Sequence, residues 1–491
     1  MGKTISHIIL LVLPLSLLNI SFPLNSQQSN TFFLMHDVPQ SNILNPAVQI
    51  ECKWFIGIPA LASLTTNYSN TAFTWNDLAG PAEWNFKNVF HQMHRTDLVS
   101  ADAAVHPLSL GYRHRRNYFT LNISDHAAVY TTIPRELAGL ALFGNSLYVG
   151  KTANPGGIRP NVLYFREYAA GYSRVIDAFT TLGIRGKLLF GKANLYPGRS
   201  RVELATDEST FDLHLEGDYR LNSSYPLTIE QDANGDITGI TDDRPTWGTF
   251  LLNRQNRGFA LDMGIIYRYD SKITLSASLL DIGFIKWNSD VNNVRLNGSF
   301  DFTGVRPGTD FTSGAYLTEL RDSLYNAFEI AVSQDPYYSW LPAQLFLGGT
   351  YRLKENILLG LVNRNLIFRN KIHSSLTVSA GIDLANRLNA LVSWSWLNNS
   401  VKNPGAGLAY HGRGMQFHIV TDNIIGFFRP FDTRSVNLRA GFNLMLGCPR
   451  KGRNVRESNE YNEGLSGGYC GWADIPKFRR KYRREAARRN R

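Results

Sequence analysis

Five residues in one stretch, His106, Ser109, His114, Asp125 and His126, include each group that acid–base or nucleophilic hydrolysis requires. They fall on one candidate hairpin, and sequence alone does not bring them together. His91 and His94 are three apart on a candidate helix, so they share a face in the manner of two metal ligands. No Cys or further His accompanies them locally, and a partly exposed polar helix face accounts for them better. Gly183-Ile184-Arg185-Gly186-Lys187 lacks the spacing of a phosphate-binding loop and lies in an alternating stretch. Asp232-Ala233-Asn234-Gly235-Asp236 resembles part of a calcium loop but lacks its later bidentate Glu. Asn-Gly between alternating flanks reads more simply as a hairpin turn. There is no Gly-x-Ser-x-Gly elbow, His-Glu-x-x-His or Walker loop. The expectation is a non-enzyme, with no catalytic residue, metal or cofactor.

The elements that carry these residues point to a membrane barrel. The chain has 491 residues, 43% hydrophobic and 12% aromatic. A helical membrane protein needs several apolar runs of about 18 residues or more. One long run is present, at residues 8–18, after Lys3 and before a polar stretch at 25–30. It reads as a secretory signal over 1–26. The rest is polar on average yet rich in Tyr, Phe and Trp. A transmembrane barrel has this composition, because lipid-facing and inward-facing residues alternate.

The alternation is explicit. Phe119, Leu121 and Ile123 alternate with Tyr118, Thr120, Asn122 and Ser124. Phe259, Leu261, Met263 and Ile265 alternate with Ala260, Asp262, Gly264 and Ile266, and a short polar turn leads to a matching partner at 273–279. Strands are expected at 342–353, 356–368, 373–383, 387–397, 403–411, 413–421 and 434–446. Short helices are expected within 76–98, 134–143 and 317–330, and 291–311 reads as loop. The sum is about fourteen strands in an all-β, antiparallel barrel, since closure leaves no unpaired edge in lipid. No repeat of 40–50 residues supports a propeller. Trp54, Trp75, Trp287, Trp340, Trp394 and Trp396 fall at or near strand ends, as residues of a membrane–water interface do.

Residues 33–40 (Phe-Leu-Met-His-Asp-Val-Pro-Gln) and 44–47 (Leu-Asn-Pro-Ala), with 55–59, Gly144-Asn145 and 275–287, resemble an outer-membrane barrel family of Bacteroidetes whose function is not established. That family is similar, distantly, to FadL-type fatty-acid channels and to PorV-type barrels of type IX secretion. The resemblance covers about residues 30–446. It implies a 14-stranded barrel whose N-terminal segment enters the lumen as a hatch. Phe33, Met35, His36, Asp37, Pro39, Asn45 and Pro46 are then hatch residues, and residues 32–47 gate the lumen.

The expected division is 1–26 signal peptide, 27–53 hatch, 54–446 barrel and 447–491 basic tail. The tail holds 13 Lys/Arg against 5 Asp/Glu, so the net charge of +11 is mostly its own. Its cations include Lys477, Arg479, Arg480, Lys481, Arg483, Arg484, Arg488 and Arg489. An even-stranded barrel places both chain ends in the periplasm, where the tail would meet peptidoglycan carboxylates or periplasmic proteins. Export leaves no access to nucleic acid. Cys448 and Cys470 flank a Gly-rich polar segment and could pair in that oxidising compartment, or stay independent thiols. Two functions remain open. One is an outer-membrane channel for small or hydrophobic molecules, in contact with lipid. The other is a non-transporting scaffold linked to secretion or to peptidoglycan anchoring.

Overall fold

The computed structural model describes residues 29–78, 86–231, 237–243, 245–303, 323, 327–368, 371–384, 387–397, 400–412 and 414–448. The signal segment, the basic tail from residue 449 and the Asn234-Gly235 turn lie outside them. The wall is a closed antiparallel barrel of fourteen staves. Its first stave is split into β1 (Trp54–Gly57) and β2 (Leu64–Asn70), both paired between the second stave and the last. The next four are β3 (Thr96–His114), β4 (Asn117–Pro134), β6 (Asn161–Val175) and β7 (Thr180–Thr206). A short β5 (Lys151–Ala153) pairs with the far end of β7.

β7 runs through two parts of one continuous sheet. Residues 180–191 pair in the wall with β11 (Asn256–Arg268). Residues 194–206 continue past it and pair with β8 (Leu213–Ser224). β8 pairs with β13 (Val291–Phe302), and β13 with β14 (Phe328–Ser333). A separate hairpin joins β9 (Leu227–Gln231) to β10 (Ile237–Asp242). The wall resumes with β12 (Ile273–Trp287), then one stave made of β15 (Tyr337–Trp340) and β16 (Ala343–Lys354). It closes through β17 (Ile357–Phe368), β18 (Lys371–Leu384), β19 (Leu388–Leu397), β20 (Ser400–His411), β21 (Met415–Thr421) and β22 (Ser435–Leu446).

The short connections β3–β4, β6–β7, β11–β12, β16–β17, β18–β19 and β20–β21 share one end of the barrel. Most links at the other end are long. The wall begins and finishes at the short-turn end, where Cys52 and Cys448 form a disulfide. This corrects the Cys448–Cys470 pairing: Cys448 has one sulfur, and barrel closure brings it to Cys52, 396 residues away.

The alternation has the meaning expected of it. On β4, Tyr118, Thr120, Asn122 and Ser124 are buried, while Phe119 and Leu121 are exposed. Leu182, Ile184 and Leu188 of β7 and Val392, Trp394 and Trp396 of β19 also face outward. Large apolar side chains outside and polar ones inside reverse a soluble fold, and match a barrel solvated by lipid. Trp54, Trp75, Trp340, Trp394 and Trp396 are exposed. Trp287 is fully buried, and its indole N–H donates to Ser339 Oγ at 2.8 Å, so it is interior packing and no interface anchor.

Two further expectations fail. Residues 291–302 are strand β13 where loop was expected, because the full length of β8 pairs with them. Within 317–330, Phe328–Ile330 begin strand β14 on β13. Most of that expected helix lies outside the described residues.

Candidate functional site

The lumen is filled by residues 29–53, which precede the wall in sequence. A helical turn (Asn30–Phe33) and a 3-10 turn (Pro39–Ile43) fold the segment compactly. Pro39 suits the first position of its turn, where its missing N–H leaves no bond unmade. Asn45 Oδ1 accepts from the Ala47 N–H at 3.0 Å and bends the chain at Pro46. The Pro46 carbonyl accepts from Asn42 Nδ2 at 3.1 Å.

An apolar knob sits among inward-facing wall residues. Phe32, Phe33, Leu34, Met35, Val38 and Leu44 pack with Leu280, Phe346, Val362, Leu391, Ala409 and Val420. The Phe33 and Phe346 rings stack with centroids 4.8 Å apart. The His36 ring meets Phe33 edge-on at 5.8 Å. Burial, with the nearby Arg268 cation second, pushes the His36 imidazole down to about 3, so it is neutral at ordinary pH. Wall glycines make room for this segment. A Cβ at Gly407 would collide with the Met35 sulfur, one at Gly183 with the backbone of Pro46 and Ala47, and one at Gly264 with Asn45.

Polar contacts surround the knob. Asn30 Nδ2 donates to Ser375 Oγ at 3.0 Å and to Thr377 Oγ1 at 2.9 Å. The Thr31 N–H donates to Asp422 at 2.7 Å. Asp37 accepts from Asn389 and lies 3.7 Å from His411 Nε2. Gln40 and Asn443 bond through their amides. The Arg185 guanidinium donates to the carbonyls of Asn42 at 2.6 Å and Ile43 at 3.1 Å.

Arg185 belongs to a buried charged cluster on four successive staves. Lys187 Nζ lies 2.6 Å from Asp281, 2.9 Å from Asp262 and 3.5 Å from Glu167, and Arg185 lies 3.4 Å from Asp262. Asp281 holds a left-handed backbone at φ 61°, and its N–H donates to Asp262 at 2.8 Å. The cluster edges a cavity of about 140 Å³ bounded by Ser29 and Leu44 of the segment and by His106, His126, Asp281 and Arg439 of the wall.

The hairpin residues are only partly united. The His106 and His126 rings lie 6.2 Å apart. Ser109 donates instead to Asn122 at 2.7 Å, and Asp125 pairs with Arg166 at 2.8 Å. His114 is exposed near the short turn. His94 lies past the helix that carries His91 and meets Asp97 at 3.2 Å. Sequence reasoning did not single out Arg185, Lys187, Glu167 or Asp281 as a group. Their signal was a charge at an inward position of an alternating strand. The tail cations and Cys470 lie outside the described residues.

Fold and site together define a closed transmembrane-type β-barrel with its own N-terminal segment as an internal plug. The chain belongs to the Family of unknown function (DUF5723), whose model matches residues 46–422. No curated protein matches it. Among solved structures it is similar to the Ralstonia pickettii toluene transporter TbuX, at 9% identity over 83% of this chain and 94% of that one, with a TM-score of 0.38. It is also similar to the Pseudomonas putida toluene transporter TodX, at 9% over 86% and 98%, TM-score 0.34. A Pseudomonas aeruginosa FadL homologue aligns at 10% over 87% and 100%, TM-score 0.34. Closure of the wall rests on its own strand pairing and not on these likenesses.

Proposed function

We propose that this chain is an outer-membrane channel for small molecules, closed at rest by residues 29–53. The supporting observation is the seat itself. A separate segment occupies the lumen, and much of its hold is side-chain hydrogen bonding to Ser375, Thr377, Asp422, Asn443 and Arg185. The neutral bonds contribute about 0.5–1.5 kcal/mol net each and those to Asp422 and Arg185 about 1.5–3, because water replaces them. Vacating the seat also parts the apolar knob from Phe346, Val362 and Leu391, which makes the occupied lumen the resting state. The outward apolar belt supports membrane residence, and even-stranded closed barrels of this type are characteristic of outer membranes.

The cavity guides the choice of cargo. At about 140 Å³ it takes a molecule near the size of benzene. Its border carries His106, Lys187, Glu167, Asp281 and Arg439, so the reading favours polar small molecules over hydrocarbons. Single-channel conductance in planar bilayers tests the gate, with and without residues 30–47. Current only in the deleted form is the expected result. Equal conductance in both forms would sink the proposal, and silence in both would mean a filled structural barrel.

A further inference from the structure

The link between β21 and β22 carries an unusual surface. It contains a short helix (Ile424–Phe428) and a 3-10 turn (Pro430–Asp432). Ile425, Phe427, Phe428 and Phe431 are all exposed, the last two at 75% and 62%. Four large apolar side chains in seven residues make a patch, not scattered surface residues. The patch is held firmly. Asn423 Oδ1 accepts from the Gly426 N–H at 3.1 Å, and Asn423 Nδ2 donates to the Ser435 carbonyl at 2.8 Å. A Cβ at Gly426 would strike that carbonyl, so the missing side chain lets the helix lie against the start of β22.

Its neighbours place the patch on the outer side of the rim. Tyr68 alternates with inward Asn67 and Ser69 on β2 and therefore faces outward with Leu64 and Thr66. Its ring stacks on exposed Trp75 at 6.3 Å. The next residue, Asn76, bonds to Asp432, beside Phe431. The apolar surface thus runs from the wall's belt through Tyr68 and Trp75 to Phe431 and the helix. Arg429, exposed on the same link and 4.0 Å from the Asp432 carboxylate, supplies a cation beside the aromatics.

We propose that this rim link is an interfacial anchor whose partner is the membrane surface: Ile425, Phe427, Phe428 and Phe431 rest at the acyl–headgroup boundary, with Arg429 toward lipid phosphate. Continuity with the lipid-facing belt selects lipid as the occupant. Aromatic and aliphatic groups with a cation alongside suit that boundary, where one side is apolar and the other wet.

Site-directed spin labelling tests this on the full chain carrying Cys470→Ser, with the Cys52–Cys448 disulfide intact. Phe428→Cys and Phe431→Cys receive the nitroxide, and the protein is placed in phosphatidylcholine–phosphatidylglycerol vesicles. Leu408→Cys on the outward face of β20 is the lipid control, and Ser209→Cys in the exposed β7–β8 turn is the water control. The expected result is a ratio of oxygen to nickel-chelate collision rates at 428 and 431 above that at 209 and approaching that at 408. Ratios at 428 and 431 equal to that at 209, with 408 still lipid-like, would overturn the anchor alone. A water-like ratio at 408 as well would overturn membrane residence and the anchor with it. Both substituted positions are exposed, so neither label disturbs packing, and agreement between them guards against failure of one variant.

Discussion

Lys187 is the residue on which the buried charges depend. Asp262, Asp281 and Glu167 all lie within 3.5 Å of its ammonium nitrogen. Removing one partner from a buried ion pair usually costs about 3–5 kcal/mol, because the charge left behind has no solvent. Lys187→Met is therefore expected to lower barrel stability by about that amount, read as a shift of the urea midpoint in vesicles. Adding Asp262→Asn should recover part of the loss. A Lys187→Met variant as stable as the parent would show that the carboxylates are not held charged by this lysine. Period-two alternation already set Asp262 opposite Leu261 and Met263, so its inward direction was legible. The cluster was not, since its two hairpins, β6–β7 and β11–β12, meet only through the long-range β7–β11 pairing. β7 meets β11 across the wall, yet β8, β9 and β10 lie between them in sequence.

At the scale of elements, the plug and its seat fit through what the wall lacks. The β7 backbone approaches Pro46 and Ala47 so closely at Gly183 that no side chain fits. Gly183→Val is expected to displace the 42–47 stretch while leaving the wall paired. Protease cleavage within residues 30–50 should rise several-fold, with the heat-modifiable gel migration of a folded barrel unchanged. Unchanged cleavage would mean that the plug shifts without leaving. The strands from 343 to 446 were read from sequence to within about three residues, because all but β22 follow or precede a partner across a short turn and one face meets lipid. β13 was missed for the opposite reason. Asn292, Asn293, Arg295, Asn297 and Asp301 give it a loop's composition, and the long-range partner β8 makes it a strand. The plug's existence came from a family resemblance, since its 29–53 stretch follows neither helical nor strand period.

For the whole molecule, closure is the organising event. The disulfide ties the residues just outside the first and last staves. A cross-link over so long a loop removes much freedom from the unfolded chain, typically stabilising by about 2–4 kcal/mol. Cys52→Ser should lower the urea midpoint accordingly, and reductant should do the same to the parent but not to the variant. Equal midpoints with and without reductant would show that stave pairing alone fixes the seam. Sequence order concealed this bond, because Cys470 is Cys448's nearest cysteine along the chain and Cys52 becomes its neighbour only in the ring.

That bond has a topological meaning as well. Residues 52–448 form a covalent macrocycle, and the plug hangs from it at Cys52. A single cut in one long loop opens this ring into a line without dividing the molecule. Every loop at the exposed mouth can thus be nicked once, and the plug, the first stave and the last stave still travel together.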